Sequence, residues 1–162
     1  ADNLSNTFSN ATIQAFGGDD TITNNAANTS INAGAGNDSI DNNAAQVTIS
    51  GGAGNDYLNN NQQLLTVYNY SGGNDTIEGF NASDSLNIGG YSYSTVTGDD
   101  NNIIVNITGN SATVGTVTLK DYSGQYVNIV STYAPPTVRG ISISNANDSI
   151  FITGTAEIGR AS

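Results

Sequence analysis

Aliphatic residues recur along the N-terminal part of the chain at a fixed interval. Leu4, Ile13, Ile22, Ile31, Ile40, Ile49 and Leu58 follow one another every nine residues, with Val67 next in the series. Their neighbours, such as Thr21 and Thr23 or Ser30 and Asn32, are polar. Alternation about each aliphatic position marks a short strand with one face turned inward. Nine residues hold one such strand and one turn, so an 18-residue coil carries two strands, and stacked coils set two parallel sheets face to face. The pattern predicts an all-β chain whose residues 1–90 form a parallel β-solenoid with a core one residue deep.

The turns on the two edges of this coil differ. One edge carries Asn24-Asn25-Ala26-Ala27, Asn42-Asn43-Ala44-Ala45 and Asn60-Asn61-Gln62-Gln63. Stacking puts Asn24, Asn42 and Asn60 in a file whose amides can bond from coil to coil, and asparagine tolerates the left-handed conformations that turns require. The other edge carries Ala15-Phe16-Gly17-Gly18-Asp19-Asp20, Ala33-Gly34-Ala35-Gly36-Asn37-Asp38, Gly51-Gly52-Ala53-Gly54-Asn55-Asp56 and Tyr70-Ser71-Gly72-Gly73-Asn74-Asp75. Asp20, Asp38 and Asp56 are spaced by 18, and Asp75 arrives one residue late.

Charge makes the second edge chemically pointed. The chain has 14 acids against three bases, for a net charge of −11, and the bases are Lys120, Arg139 and Arg160. Every acid before residue 120 therefore lacks a nearby cationic side chain in sequence and must be solvated, protonated or neutralised by a metal. Coils about 4.8 Å apart would give adjacent carboxylates in one file a repulsion of about 3 kcal/mol at an effective dielectric near 20. A divalent cation held by oxygens relieves it, and glycine-rich turns expose carbonyls that supply such ligands. Four turns predict three inter-turn sites. The alternative is that each Asp only closes an Asx turn and each Gly only permits the bend, with no metal involved. Asp19, Asp84, Asp99 and Asp100 read as solvated loop residues or as outlying sites.

Gly51-Gly52-Ala53-Gly54-Asn55-Asp56-Tyr57-Leu58-Asn59 matches the whole nonapeptide G-G-x-G-x-D-x-U-x, and the other three turns match it in part. In this the chain resembles the hemolysin-type calcium-binding repeats, the RTX β-roll family of bacterial secreted and surface proteins. The resemblance implies Ca2+ held between successive turns by one carboxylate per turn and by backbone carbonyls of the glycine segments. Carried over, the carboxylates are Asp20, Asp38, Asp56 and Asp75. The glycines are Gly17, Gly18, Gly34, Gly36, Gly51, Gly52, Gly54, Gly72 and Gly73. It also implies export by a type I machinery, with folding outside the cell where calcium is millimolar. The family's β-roll usually carries such turns on both edges, whereas this chain carries them on one.

From about residue 79 the 18-residue period breaks down, though Asp84-Ser85-Leu86 continues the half-period and Leu86 can close the last coil. Tyr91 to Thr97, Ile103 to Thr108, Thr113 to Lys120 and Tyr126 to Val130 read as short strands of an antiparallel cap over residues 91–133. Tyr91, Tyr93, Tyr122, Tyr126 and Tyr133 fill its core or form a sugar-binding platform. Ala134-Pro135-Pro136 opens a stiff linker within residues 134–162, after which Ile141 and Ile150 are again nine apart and Asn147-Asp148-Ser149-Ile150 repeats Asn37-Asp38-Ser39-Ile40. That short β segment reads as the first coil of a further module, or as a piece that pairs with the exposed first coil of another copy.

Without His or Cys the chain offers no nucleophile–base pair, and its acids recur at a structural period instead of converging, so an enzyme is not expected. A regular outward threonine array, as ice binding would want, is absent. The acidic balance excludes nucleic acid, and no apolar run spans a membrane. The chain reads as a processed product or excised segment of a secreted or cell-surface bacterial protein, in a surface layer, adhesin or extracellular fibre. Its expected partners are calcium and neighbouring modules, or other copies of itself joined head to tail into a filament.

Overall fold

The computed structural model of the chain describes residues 1–109, 112–122 and 126–132. The linker, the nine-spaced isoleucines that follow it and Tyr133 lie outside the described residues. Among the described residues all regular structure is β. The strands are β1 (Asn3–Asn6), β2 (Thr12–Gln14), β3 (Thr21–Asn24), β4 (Ser30–Ala35), β5 (Ser39–Asn42), β6 (Val47–Ala53) and β7 (Tyr57–Asn60), then β8 (Thr66–Asn69), β9 (Gly73–Glu78), β10 (Ser85–Asn87), β11 (Ser92–Thr97), β12 (Ile103–Gly109), β13 (Ala112–Lys120) and β14 (Ile129–Val130). Odd strands from β1 to β9 build one sheet, which continues through β13, β12 and β11; even strands from β2 to β10 build the other, which ends on β14.

The solenoid pairs parallel and in the predicted register, with Leu4 on Ile22, Ile22 on Ile40 and Ile40 on Leu58. Opposite them Ile13 lies on Ile31 and Ile31 on Ile49. The aliphatic side chains of the two sheets form one core from which water is excluded at Ile22, Ile31, Ile40 and Ile49. Burial of each such side chain contributes about 1.5–3 kcal/mol. Leu4 and Ile13, in the first coil, are only partly covered.

The structure corrects the series at its eighth member. Tyr68, not Val67, pairs with Ile49 and points inward, and Val67 pairs with Thr48 on the outer face. The extra residue lies in the corner between Asn60 and Thr66, one longer than the corner between Asn42 and Val47, and there Leu64 and Leu65 are left exposed. A one-residue slip exchanges the two faces of a strand, so the insertion moves the inward position by one.

The asparagine edge forms the expected ladder and extends it. Asn6 Nδ2 donates to Asn24 Oδ1 (2.8 Å), Asn24 to Asn42 (2.9 Å) and Asn42 to Asn60 (3.1 Å). The left-handed residues on this edge are Asn10, Asn28 and Gln46, not the ladder residues. Each ladder asparagine instead bonds the turn that follows, as Asn42 does to the carbonyl of Ala44. A parallel outer file, Asn25, Asn43 and Asn61, is exposed.

The antiparallel strands stand at the end of the solenoid, as expected, and join it edge to edge. β11, β12 and β13 form an antiparallel meander, while β13 also pairs parallel with β9, setting Leu119 on Ile77. The strand expected over Tyr126 to Val130 is shorter and pairs parallel, with Ile129 on Leu86. The chain therefore leaves the solenoid after β10, makes the hairpin β11–β12 and re-enters it. Tyr91 packs against Tyr70 and Tyr122 against Phe80 in the core, whereas Tyr93 and Tyr126 are exposed.

Asn42→Ala takes away the acceptor of one Asn24 N–H, the N–H that Asn60 Oδ1 accepts and the two bonds Asn42 makes to Ala44, and should cost about 3 kcal/mol. Asn43→Ala, in the exposed file, should cost under about 1 kcal/mol. Urea unfolding of the two variants measures the difference.

Candidate metal-binding edge

Each glycine-aspartate turn closes between an even strand and the odd strand that follows, so the aspartate sits at the mouth of the core. Asp20, Asp38, Asp56 and Asp75 are all buried, at 1%, 2%, 2% and 6% exposure. They form one file along the solenoid, as the spacing predicts. Their carboxylates are bound through one oxygen. Asp20 N–H donates to Asp38 Oδ1 (2.7 Å), Asp38 N–H to Asp56 Oδ1 (2.9 Å) and Asp56 N–H to Asp75 Oδ1 (3.1 Å).

Asp2, eighteen residues before Asp20, is a fifth member of the file. Its N–H donates to Asp20 Oδ1 in the same way (2.5 Å). At the far end Val117 pairs with Asp75 and stops the carboxylate series.

The second oxygen of three carboxylates has no partner. Oδ2 of Asp20, of Asp38 and of Asp56 is buried without a hydrogen bond. A buried acceptor left unsatisfied costs about 1–3 kcal/mol, and more when charged. Lys120, the one Lys or Arg among the described residues, pairs with Glu78 on the outer face at 2.8 Å and brings no charge to this file. Desolvation raises the carboxyls of Asp38 and Asp56 above their ordinary value of 3.8, opposed by the backbone N–H bond each accepts. The same balance pushes Asp75 up to about 7.

The glycines answer to close approach. A Cβ on Gly34 would fall on the carbonyl of Phe16, one on Gly52 on that of Gly34, one on Gly36 on that of Gly18, and one on Gly54 on that of Gly36. Gly73 stands against the carbonyl of Gly54 in the same way. All five have positive φ, which favours glycine in any case. The carbonyls of Gly18, Gly36 and Gly54 thus form a file beside the carboxylates. Gly51 leaves the space that Asp56 Oδ2 enters, and buried Ala33 and Ala15 stand at that position in the two preceding turns. Gly17 bridges Ala35 with room to spare, and Gly72 has nothing within 4 Å, so neither is required by packing.

A second file runs just outside the first. Asn37 N–H donates to Asp19 Oδ1, Asn55 N–H to Asn37 Oδ1 and Asn74 N–H to Asn55 Oδ1, at 2.7, 2.8 and 2.8 Å. It runs opposite in sense to the inner one and stitches each turn to both neighbours. Among the described residues no three acidic side chains converge on one point, so a cation here would take most of its ligands from the backbone.

The outlying acids separate. Asp19, Asp99 and Asp100 are exposed loop residues. Asp84 is not a solvated loop residue: it is fully buried and receives the amide of Asn60 (3.3 Å), the backbone N–H of Thr66 (2.8 Å) and the backbone and side-chain N–H groups of Asn81 (3.0 and 2.9 Å). It ends the asparagine ladder where Gly79, packed on the carbonyl of Asn60, takes the place of a further asparagine.

The raised carboxyls set a pH dependence with a definite sign. In the folded chain, free of metal, Asp75 holds up to about pH 7 a proton that the unfolded chain releases near 3.8, and the raised carboxyls of Asp38 and Asp56 act in the same direction, so stability falls as pH rises from about 4 to about 7. Thermal melting in chelator should therefore give a Tm several degrees higher at pH 5 than at pH 8. Comparison of the chain with protein-family models, with curated proteins and with solved structures finds no match.

Proposed function

We propose that the chain is a non-enzymatic, calcium-stabilised structural module of a secreted or cell-surface bacterial protein. The observation that carries this reading is the set of orphaned Oδ2 atoms of Asp20, Asp38 and Asp56, aligned along a file that has no basic side chain. Ca2+ is the cation whose ligand preference fits what stands there, because it accepts carboxylate and carbonyl oxygens in irregular number. Asp20, Asp38, Asp56 and Asp75 would hold it with carbonyls of the glycine turns. Bound there, it supplies positive charge between carboxylates that otherwise repel.

The consequence is coupling of folding to calcium. A site with ligand at 100 times its dissociation constant adds about 2.7 kcal/mol, so three such sites are comparable with the stability of an ordinary domain. A chain that stays unfolded where calcium is scarce and folds where it is millimolar suits export before folding, in line with the resemblance of its turns to RTX repeats. The regular, charge-poor outer faces suit a load-bearing element of a surface layer, adhesin or fibre.

Asp38→Asn separates this reading from a metal-free Asx turn. The amide keeps the size of the carboxylate and removes its charge. In chelator the variant should melt higher than the parent, because a repulsive buried charge is gone; in millimolar calcium it should melt lower, because a ligand is gone. Calcium itself should raise the parent's Tm by 10 °C or more, on the order of what several kcal/mol produce in a chain of this size. A Tm equal in chelator and in calcium contradicts the proposal.

A further inference from the structure

The four glycine-aspartate turns are alike in spacing, but the last one carries a side chain that the others lack. The residue five places before the aspartate is small in three turns, Ala15, Ala33 and Gly51, and large in the fourth, Tyr70. All four positions are buried. Gly51 leaves room that Asp56 Oδ2 enters, and the two alanines add only a methyl group. Tyr70 adds a ring that reaches across its own turn. Its edge packs against Tyr91, with 6.1 Å between ring centroids, and its hydroxyl donates to the carbonyl of Gly73 at 3.0 Å.

That carbonyl is the next member of a file. The carbonyls of Gly18, Gly36 and Gly54 each face the glycine of the following turn, and Gly73 continues the series. Among the described residues it is the member of the file whose oxygen a side chain holds. The other groups of the fourth turn are engaged as well. Thr116 Oγ1 donates to Asn74 Oδ1 at 3.2 Å, and Val117 lies where the next coil would carry an aspartate. A Cβ on Gly115 would fall on both the Gly73 carbonyl and the Tyr70 hydroxyl, so the space above this turn is filled. The carboxylate oxygens buried without a partner belong to Asp20, Asp38 and Asp56; Asp75, the most exposed of the four at 6%, contributes none.

We infer that Tyr70 closes the calcium edge, limiting it to three ions, one for each partnerless Oδ2, by keeping a fourth from the carbonyl of Gly73. This deepens the calcium reading above and rests on it. The reason is the direction of the hydroxyl: a hydrogen-bonded O–H aims its positive end at the carbonyl, where a cation would otherwise take the lone pair. Ca2+ gathers about six to eight oxygens, and with Gly73 engaged and Val117 offering no carboxylate the fourth turn falls well short. Asp75 then serves the ion beside Asp56 and no other. Tyrosine suits the task because its ring is anchored in the core while its hydroxyl reaches the turn. Phenylalanine would fill the same core and leave the carbonyl open.

The test counts calcium bound to the full chain by equilibrium dialysis, a readout that a merely core-filling tyrosine would not move. The parent should hold three ions. Tyr70→Phe keeps the ring, removes the donor and should hold one more, about tenfold weaker than the others because Val117 brings it no carboxylate. Tyr68→Phe removes a different buried hydroxyl, one without a hydrogen bond that feels the charge of Asp84 on the asparagine edge, and should keep the parent's count. The parent's count refutes the inference by itself if it is four, whatever the variants do. A Tyr70→Phe count no higher than the parent's, or an equal rise in Tyr68→Phe, overturns it as well and leaves the calcium reading standing. A parent that binds no calcium overturns both.

Discussion

Stacking coils at the spacing of hydrogen-bonded strands forces every side chain to sit on its counterpart in the coil below, and the rest of this structure follows from what each residue type does in such a file. Aliphatic side chains simply pack. An asparagine carries both a donor and an acceptor, so Asn6, Asn24, Asn42 and Asn60 satisfy one another indefinitely. An ionised aspartate only accepts. Its file closes through borrowed backbone N–H groups on one oxygen, and the other oxygen is left over in Asp20, Asp38 and Asp56. The same geometry that makes one edge a self-sufficient scaffold makes the other an incomplete one.

The two files also end differently from how they begin. At the β13 side Val117 replaces the aspartate and Asp84 receives the last asparagine amide, so both series are terminated by residues suited to stopping them. At the β1 side the files run out to Asp2 and Asn6 with the pattern still intact.

Much of this was legible in the residues. The nine-residue aliphatic period gave the sheets and their register, and the spacing of Asp20, Asp38 and Asp56 placed them together in a buried file. What escaped did so for physical reasons. Asp75 announces an extra residue without saying where it is, and only the position of the corner decides between Val67 and Tyr68. Asp2 keeps the spacing of 18 to Asp20 but stands outside the four glycine turns that marked the series, and its N–H bond to Asp20 places it in the file. Asp84 looks like a loop acid because a serine flanks it on each side and no glycine turn leads into it; its partners Asn60 and Thr66 are distant in sequence. The return of β13 and β14 to the solenoid is hidden by the hairpin between them and β10, which breaks the period without ending the fold.

The most direct measurement is a crystal structure at atomic resolution grown in calcium, with anomalous data to identify the scatterer. Peaks of calcium between successive turns, within about 2.3–2.6 Å of Oδ2 of Asp20, Asp38 and Asp56 and of glycine-turn carbonyls, are the predicted result. Water or empty density beside those three oxygens, with the carboxylates still buried in file, would contradict the account.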